Sequence, residues 1–314
     1  PRSSSAASDV YKRQVVLEQL GRELTASPLF SSALVGATAL VIAGDDTQKQ
    51  RLLPKIVDGS EILTLALDEG PRHDPGSIRV EATPAGNGFT ISGAKTFVPE
   101  GLAVTTFVVA ASTAGGEVVL CLVPADADGV SRERLMTMDS RGFANVRFDG
   151  VAVAEADVLG SPENGADHLE AILDRARAGL AMEMLGTAAG AFDMTIEYLK
   201  TREQFGRVIG SFQALGHRAA ELFGLMELSR SCAEAAVQAI DSGAANVGEM
   251  SSLAKCKVGD FLHAMSNQLI QIHGGIGMTD EFNAGFYLKR ARVLETLYGN
   301  QAFHRDRYAR LLGF

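Results

Sequence analysis

The sequence predicts an α+β fold in which helices come first, an antiparallel β domain follows, and an antiparallel helix bundle ends the chain. The distribution of proline is the first observation behind this order, since all nine prolines lie at or before Pro162. A long segment without proline favours helices, because proline disrupts a helix interior. The second observation is hydrophobic periodicity, which is helical after Pro162 and typical of strands in the segment before it.

The segment before the β domain, 15–60, is predicted to be helical. Within it, Asp45 or Asp46 can cap the run TQKQRLLPKIVDG, since aspartate accepts hydrogen bonds from the free N–H groups at a helix start. Residues 1–14 differ, because this Ser-rich stretch has no starting Met, no apolar run and no helical period. We interpret residues 1–14 as a non-native or scar segment without the pattern of a signal peptide.

Segment 61–160 is predicted to be an antiparallel β domain. It contains short alternating or β-branched runs separated by Gly, Asp and Pro, namely ILTLAL, FTISGAKTF, TTFVVAAS, EVVLCLV and NVRFDGVAV. These runs follow one another without a helical pattern between them. This order excludes a βαβ dinucleotide-binding fold.

Segment 161–314 is predicted to be the helix bundle. Apolar residues recur there at helical spacing, for example at Leu169, Ile172 and Leu173. We predict helices over 164–201, 211–242, 246–273, 280–296 and 300–312. Long helices joined by so few turn residues favour antiparallel packing.

Composition narrows the function classes. Of the 314 residues, 46% are hydrophobic and 21% are charged, which predicts a globular protein with a substantial core. The net charge of −9 argues against nucleic acid as a partner. The longest apolar stretches are shorter than the roughly 20 residues of a membrane span. Three isolated cysteines predict neither a disulfide framework nor a metal site, and they favour a reducing, cytoplasmic location.

Two segments of the bundle have an unusual composition. Residues 271–280, QIHGGIGMTD, place three glycines after a long helix, where another group can approach the backbone closely. Residues 201–207, TREQFGR, form a basic and aromatic link between two helices. Taken alone, the first is compatible with a helix C-cap turn and the second with an ordinary solvated turn.

Together with SFQAL, YLKRARVLETLYGN and RFDGVAVAEADVLG, these segments occur in an order that resembles the acyl-CoA dehydrogenase family. The resemblance covers 15–314 and implies a partial N-terminal helical domain, a middle β domain and a C-terminal bundle. Family members carry further helices at the start, so the resemblance implies that 15–60 is a remnant of a longer domain. It also implies an oligomeric oxidoreductase of lipid metabolism that binds FAD. Such an enzyme dehydrogenates an acyl-CoA thioester between its α and β carbons, transfers hydride to FAD, and passes electrons to an electron-transfer flavoprotein or a similar acceptor.

The resemblance also implies a cofactor site. Arg202 and Phe205 match the RxxF motif, whose arginine meets the FAD pyrophosphate across a subunit boundary, and a planar guanidinium suits phosphate oxygens. Three further positions, Gln271, Gly274 and Gly275, match the QxxGG motif along the adenosine half of FAD. The glutamine of the helix after the RxxF motif matches Gln213.

On the flavin-ring side the match is imperfect. Phe97 stands in place of the family tryptophan, while Asp68 and Pro99 replace residues with hydroxyls that bond to the flavin ring. Pro99 also lacks a backbone N–H donor. The family PGAGSD loop is replaced by residues 70–77, GPRHDPGS.

The substrate side lacks the usual catalytic glutamate. Asp174 and Arg177 match the helix that family members place beside the thioester. Because these two residues are three apart on one helix face, a local ion pair is the alternative. Gly299 matches the glycine after the base, which puts Tyr298 in the base position. The alternative base position of some members is Ala176. The nearest acidic residues in sequence are Glu183 and Glu295, and the identity of the catalytic base stays open.

Three hypotheses follow. In the first, the chain is an acyl-CoA dehydrogenase-like flavoprotein and acts as the base-lacking subunit of a hetero-oligomer. Similar bacterial members that act on steroid side chains or dicarboxylyl thioesters pair two different chains. In the second, it is an inactive homologue that serves as a binding or scaffold protein. In the third, it is a helical interaction domain without a cofactor.

Overall fold

The computed structural model describes residues 15–314, so the interpretation of residues 1–14 as a non-native segment lies outside the described residues. The chain forms two compact units. The sheet unit consists of Ser27–Ala176. The bundle unit consists of the described residues up to Ala26 together with Arg177–Phe314.

Helices make up most of the bundle unit and the start of the sheet unit. In chain order they are α1 at 15–22, a π-helix at Phe30–Gly36, α2 at Ala37–Ala43, α3 at Asp46–Asp58, α4 at Gly165–Thr201, α5 at Gln213–Ser242, α6 at Val247–His273, α7 at Ala284–Thr296 and α8 at Gln301–Leu311. Each of the five helices predicted after Pro162 is found. The largest difference is the start of α7, predicted at 280 and found at Ala284, because residues 279–283 form bends and turns. Among residues 15–314, no helix has the length and apolar character needed to cross a membrane.

The start of α3 is fixed by Asp45, one of the two predicted capping residues. Its carboxylate accepts a hydrogen bond from the backbone N–H of Gln48 at 2.7 Å, and the Gln48 side chain accepts one from the Asp45 N–H at 2.9 Å. This reciprocal pair satisfies two N–H groups that the helix leaves free. The Gln48 amide also donates to the carbonyls of Ala156 and Val158, which fixes α3 to the end of the sheet.

The sheet unit is built on one eight-stranded mixed sheet. The strands are β1 at Leu63–Ala66, β2 at Glu81–Ala85, β3 at Gly88–Val98, β4 at Thr106–Ser112, β5 at Val118–Pro124, β6 at Val130–Arg134, β7 at Ala144–Val153 and β8 at Val158–Leu159. Their order is β6-β7-β3-β2-β4-β5-β8, with β1 beside β4. The sheet rules out the hypothesis of a purely helical interaction domain.

Most strand pairs are antiparallel, as predicted, but two are not. β1 runs parallel to β4, from Leu63 opposite Thr106 to Ala66 opposite Val109, and β2 meets β4 in parallel at Glu81. Hydrophobic alternation reports which face of a strand is buried and does not report the direction of its neighbour. The α+β fold class is nevertheless confirmed.

In the bundle unit, α6 packs against α5, α7 and α8. The first helix, α1, packs against α4 at a point where both helices carry glycine. A Cβ atom on Gly186 would overlap the carbonyl oxygen of Glu18, and one on Gly21 would overlap the carbonyl oxygen of Glu183. Glycine is therefore required at both positions for the two backbones to come this close.

Candidate active site

A short hairpin carries the first predicted cofactor residues in the bundle unit. After α4 ends at Thr201, strands β9 at Glu203–Gln204 and β10 at Arg207–Val208 pair antiparallel. Phe205 lies at the tip with φ of 56° and is 91% exposed. The guanidinium of Arg207 lies 4.0 Å from the ring centroid of Phe212, which fixes the hairpin to the start of α5.

Arg202, just before the hairpin, has an exposed side chain. Its backbone N–H continues the helix by donating to the carbonyl of Tyr198 at 2.9 Å. Among the described residues, no hydrogen bond or ion pair engages its guanidinium. An exposed guanidinium whose N–H donors are not used within the described residues is available to bind an anion.

The glycine turn at the end of α6 lies beside this hairpin. Its polar and glycine residues Gln271, Gly274 and Gly275 are exposed, and a Cβ on either glycine would have no atom within 4 Å. Ile272 packs with Leu199 and Ile209, which flank the hairpin, in one small apolar cluster. The structure therefore brings the end of α4, the hairpin and the glycine turn together on the bundle unit, and Gln213 is exposed at the start of the adjoining α5.

His273, a buried residue at the end of α6, packs under the glycine turn. Its ring stacks on Tyr198 with centroids 4.2 Å apart and lies 4.8 Å from Phe282, and its Nδ1–H donates to the Leu269 carbonyl at 2.7 Å. Burial lowers the pKa of His273, and the hydrogen bond to Leu269 offsets this only in part. Within residues 15–314, its buried Nε2 has no hydrogen-bond partner. The open backbone, the outward guanidinium and this buried acceptor fit a nucleotide bound at the turn.

In the sheet unit, Phe97 lies at the end of β3 with φ of 54°. Its ring stacks on Phe143 with centroids 4.4 Å apart and an interplanar angle of 16°. Pro99 is buried, and its carbonyl accepts a hydrogen bond from the Thr64 hydroxyl at 2.8 Å. The aromatic ring at position 97 is therefore held by packing within the sheet unit.

Two polar pairs near β3, Lys95 with Glu69 and His73 with Asp68, were not predicted as contacts. The Lys95 ammonium donates to Glu69 at 2.5 Å and to the Leu67 carbonyl at 3.0 Å. Burial raises the pKa of Glu69, but the hydrogen bonds from Lys95 and from two backbone N–H groups have a larger effect. The pKa of Glu69 is therefore below its ordinary value. Burial lowers the pKa of Lys95, with partial compensation from Glu69. Asp68, where the family has a hydroxyl, instead accepts from His73 at 2.8 Å.

Tyr298 lies in the turn between α7 and α8 of the bundle unit. Its side chain is buried, and its backbone has a φ of 53°, followed by Gly299 at 103°. The ring N–H of His304 donates to the Tyr298 carbonyl at 3.0 Å. Asn300 then caps α8 by accepting from the Phe303 N–H at 2.9 Å. The residue that the resemblance places in the base position is thus a buried phenol in a turn whose backbone groups are hydrogen-bonded.

Both acidic alternatives are engaged in ion pairs within the bundle unit. The Glu183 carboxylate is buried and bonds to Arg290 at 2.7 Å. The Glu295 carboxylate bonds to Arg292 at 2.5 Å and to His263 at 3.2 Å. Each of these two carboxylates therefore already has an arginine partner within the bundle unit.

The two predicted substrate residues on α4 are both buried. Asp174 belongs to the sheet unit and Arg177 to the bundle unit. The Arg177 guanidinium lies 5.6 Å from the ring centroid of Phe303 on α8. Within the bundle unit, Arg177 is therefore close to the helix that follows Tyr298.

Lys255 is a buried residue that the sequence analysis did not identify. Its ammonium donates to the carbonyls of Leu294, Glu295 and Gly299 at 3.0–3.2 Å. Burial lowers the pKa of Lys255 to about 7, Glu295 raises it, and Arg177 lowers it. The signal in the sequence is its position between Ala254 and Val258 on the apolar face of α6.

Comparisons with known proteins agree with this architecture. A family model described as "Acyl-CoA dehydrogenase, C-terminal domain" matches residues 163–313. The probable acyl-CoA dehydrogenase FadE25 of Mycobacterium tuberculosis is 25% identical over 307 residues, covering 95% of this chain and 79% of that protein.

Two solved structures extend the comparison. A variant of the Tcur3481-Tcur3483 steroid ACAD is 33% identical with a TM-score of 0.88, over 96% of this chain and 81% of that chain. The ChsE4-ChsE5 complex from Mycobacterium tuberculosis is 28% identical with a TM-score of 0.90, over 96% of this chain and 80% of that chain.

Proposed function

Because the chain belongs to the acyl-CoA dehydrogenase family, we propose that it is the FAD-binding, base-lacking subunit of a hetero-oligomeric dehydrogenase. When bound, FAD supplies the hydride acceptor for α,β-dehydrogenation of an acyl-CoA thioester. In this proposal, Arg202 and Phe205 reach the cofactor of an adjacent subunit. Gln213, Gln271, Gly274 and Gly275 hold its nucleotide end, and Phe97 packs beside its ring.

The observation that carries the proposal is Tyr298 in the base position. Proton removal from the α carbon needs a deprotonated base, and a phenol of ordinary acidity is ionised in only about one molecule in a thousand at pH 7. The carboxylates of Glu183 and Glu295 are committed to Arg290 and Arg292. At positions 183, 295 and 298, the bundle unit therefore has no carboxylate that is not already paired with an arginine.

The thioester is bound, in this proposal, by Asp174, Arg177 and Gly299. Arg177 and Gly299 belong to the bundle unit. The Gly299 carbonyl accepts a hydrogen bond from Lys255 and its N–H donates to the Thr296 carbonyl at 3.2 Å, so both backbone groups of Gly299 are fixed by the turn. A partner chain with an intact glutamate would supply the base, and an electron-transfer flavoprotein or similar acceptor would reoxidise the cofactor.

The two solved neighbours support the pairing of different chains. The ChsE4-ChsE5 structure is a complex, and the Tcur3481-Tcur3483 protein carries two chain names. Steroid-derived thioesters are accordingly the substrate class that we would assay beside straight-chain acyl-CoA.

Acyl-CoA-dependent reduction of an electron-accepting dye tests the proposal. The unmodified homo-oligomer should be nearly inactive, and Tyr298→Glu should raise turnover about a hundredfold or more, the scale of general-base catalysis. Tyr298→Phe is the matched control and should not lower the residual rate, because the phenol is not the base. Ordinary rates in the unmodified protein would refute the base-lacking role.

A visible absorption spectrum separates this proposal from the scaffold alternative. The purified protein should show the flavin band. Its absence from the homo-oligomer, and also from a complex with a homologous chain, would favour an inactive homologue that acts as a binding protein.

A further inference from the structure

The fully buried lysine on α6 contacts the segment that carries the base position. Lys255 is 1% exposed, and all three of its carbonyl partners lie between Leu294 and Gly299. An ammonium has three N–H donors, so three acceptors match it completely.

Two of these acceptors belong to the C-terminal end of α7. Leu294 and Glu295 are among the last four residues of a helix that ends at Thr296, and their carbonyls lack an onward partner within the helix. A cation at this end also interacts favourably with the helix dipole. Lys255 thus ends α7 and, through Gly299, fixes the turn that follows.

The turn itself adopts a backbone that most side chains avoid. Tyr298 and Gly299 have successive φ values of 53° and 103°. A non-glycine residue at positive φ is unfavourable unless its surroundings maintain it. Here His304 holds the Tyr298 carbonyl from α8, while Lys255 holds the next carbonyl from α6.

We propose that Lys255 is a positioning residue whose ammonium fixes the 298–299 turn and so sets the direction of the side chain at position 298. A catalytic role for position 298 rests on the proposed function. The contact between Lys255 and the turn is independent of that function. The charged and titratable groups around Lys255 are Glu295 on α7, Arg177 on α4 and Cys256 on α6, with His304 of α8 on the same turn.

Hydrogen exchange of the full-length protein at pH 6 tests the contact, because the ammonium is protonated there. In Lys255→Met, amides over 297–300 should exchange at least tenfold faster than in the unmodified protein. Lys257→Met, which removes an exposed lysine two residues away, should leave these amides unchanged. Lys255→Arg keeps a cationic donor and should restore part of the protection.

A catalytic readout separates positioning from general stability. In the Tyr298→Glu background, Lys255→Met should lower kcat about tenfold or more and leave KM for the acyl-CoA within about twofold. If Tyr298→Glu has no activity, the proposed function fails while the exchange result still decides the positioning role. Unchanged exchange over 297–300 in Lys255→Met would overturn that role whatever the activity.

The unmodified protein provides a test that does not depend on a variant folding. The Gly299 N–H donates to the Thr296 carbonyl within the turn that Lys255 fixes, so it should be protected far more than the amides at the exposed hairpin tip, 205–206. Equal exchange at the two sites would overturn the proposal.

Discussion

In the proposed function, the residue at position 298 decides whether the bundle unit has a base of its own. A glutamate there would be a flexible carboxylate, whereas tyrosine places its oxygen at the end of a rigid ring. The φ of 53° shows that the turn keeps its left-handed backbone with a bulky aromatic residue in place. Since the backbone already accommodates a non-glycine residue, a substitution at position 298 changes the chemistry of the side chain and does not require a new backbone conformation.

At the same scale, the stability of the chain should depend on pH through Lys255. The pKa of Lys255 is about 7 in the folded chain, compared with 10.5 for an ordinary lysine. Between these two pH values the unfolded chain therefore binds a proton that the folded chain has lost. Stability should therefore rise with pH across this window, by about 2 kcal/mol between pH 7 and 9. The measurement is denaturant unfolding of the unmodified protein and Lys255→Met at both pH values. A constant difference between the two proteins would contradict the assignment.

At the scale of elements, the close approach of α1 and α4 predicts a severe penalty for a larger residue at Gly190. A Cβ there would lie 2.7 Å from the Arg22 carbonyl oxygen and 3.0 Å from the Tyr287 hydroxyl. Gly190→Leu should cost about 1–3 kcal/mol through overpacking.

The matched control for this prediction is Gly224→Leu on α5. Its Cβ would have no atom within 4 Å, so helix propensity alone should make the change neutral or stabilising. Thermal unfolding compares the two variants. Equal melting temperatures would show that the α1–α4 contact does not limit side-chain size at Gly190.

The elements themselves could be predicted well from the sequence. The absence of proline after Pro162 and the 3.6-residue period located the helix ending at Thr201, because both effects are local to the chain. The parallel pairing of β1 with β4 could not be predicted, since it depends on contacts between distant segments. Turn residues 280–283 were assigned to a helix because Asp280, like Thr279 before it, also suits a helix start.

The candidate site was predicted less completely. The exposed motif residues Arg202 and Gln271 were identifiable because their order along the chain resembles a family pattern. Lys255 and the Lys95–Glu69 pair were missed, since charged residues are usually solvated and their partners are distant in sequence. The ion pair of Glu183 with Arg290 was hidden for the same reason.

At the scale of the whole molecule, cofactor affinity and assembly should be coupled. If Arg202 binds the cofactor of an adjacent subunit, Arg202→Ala should weaken FAD binding by about 2 kcal/mol through one lost charged contact. Lys200→Ala is the control, since that exposed lysine pairs with Glu197 three residues away.

Flavin fluorescence titration gives the FAD affinity, and light scattering gives the oligomeric mass of the same samples. We expect weak FAD binding in any monomeric fraction. Tight binding by a monomer, or unchanged affinity in Arg202→Ala, would contradict the assignment of the cofactor site.

Anaerobic mixing with an acyl-CoA shows whether the chain holds FAD without a base of its own. The unmodified, FAD-loaded homo-oligomer is mixed with straight-chain and steroid-derived thioesters while the visible flavin band is recorded. Under the proposed function, the band persists in the unmodified protein and bleaches in Tyr298→Glu. Rapid bleaching in the unmodified homo-oligomer would contradict it.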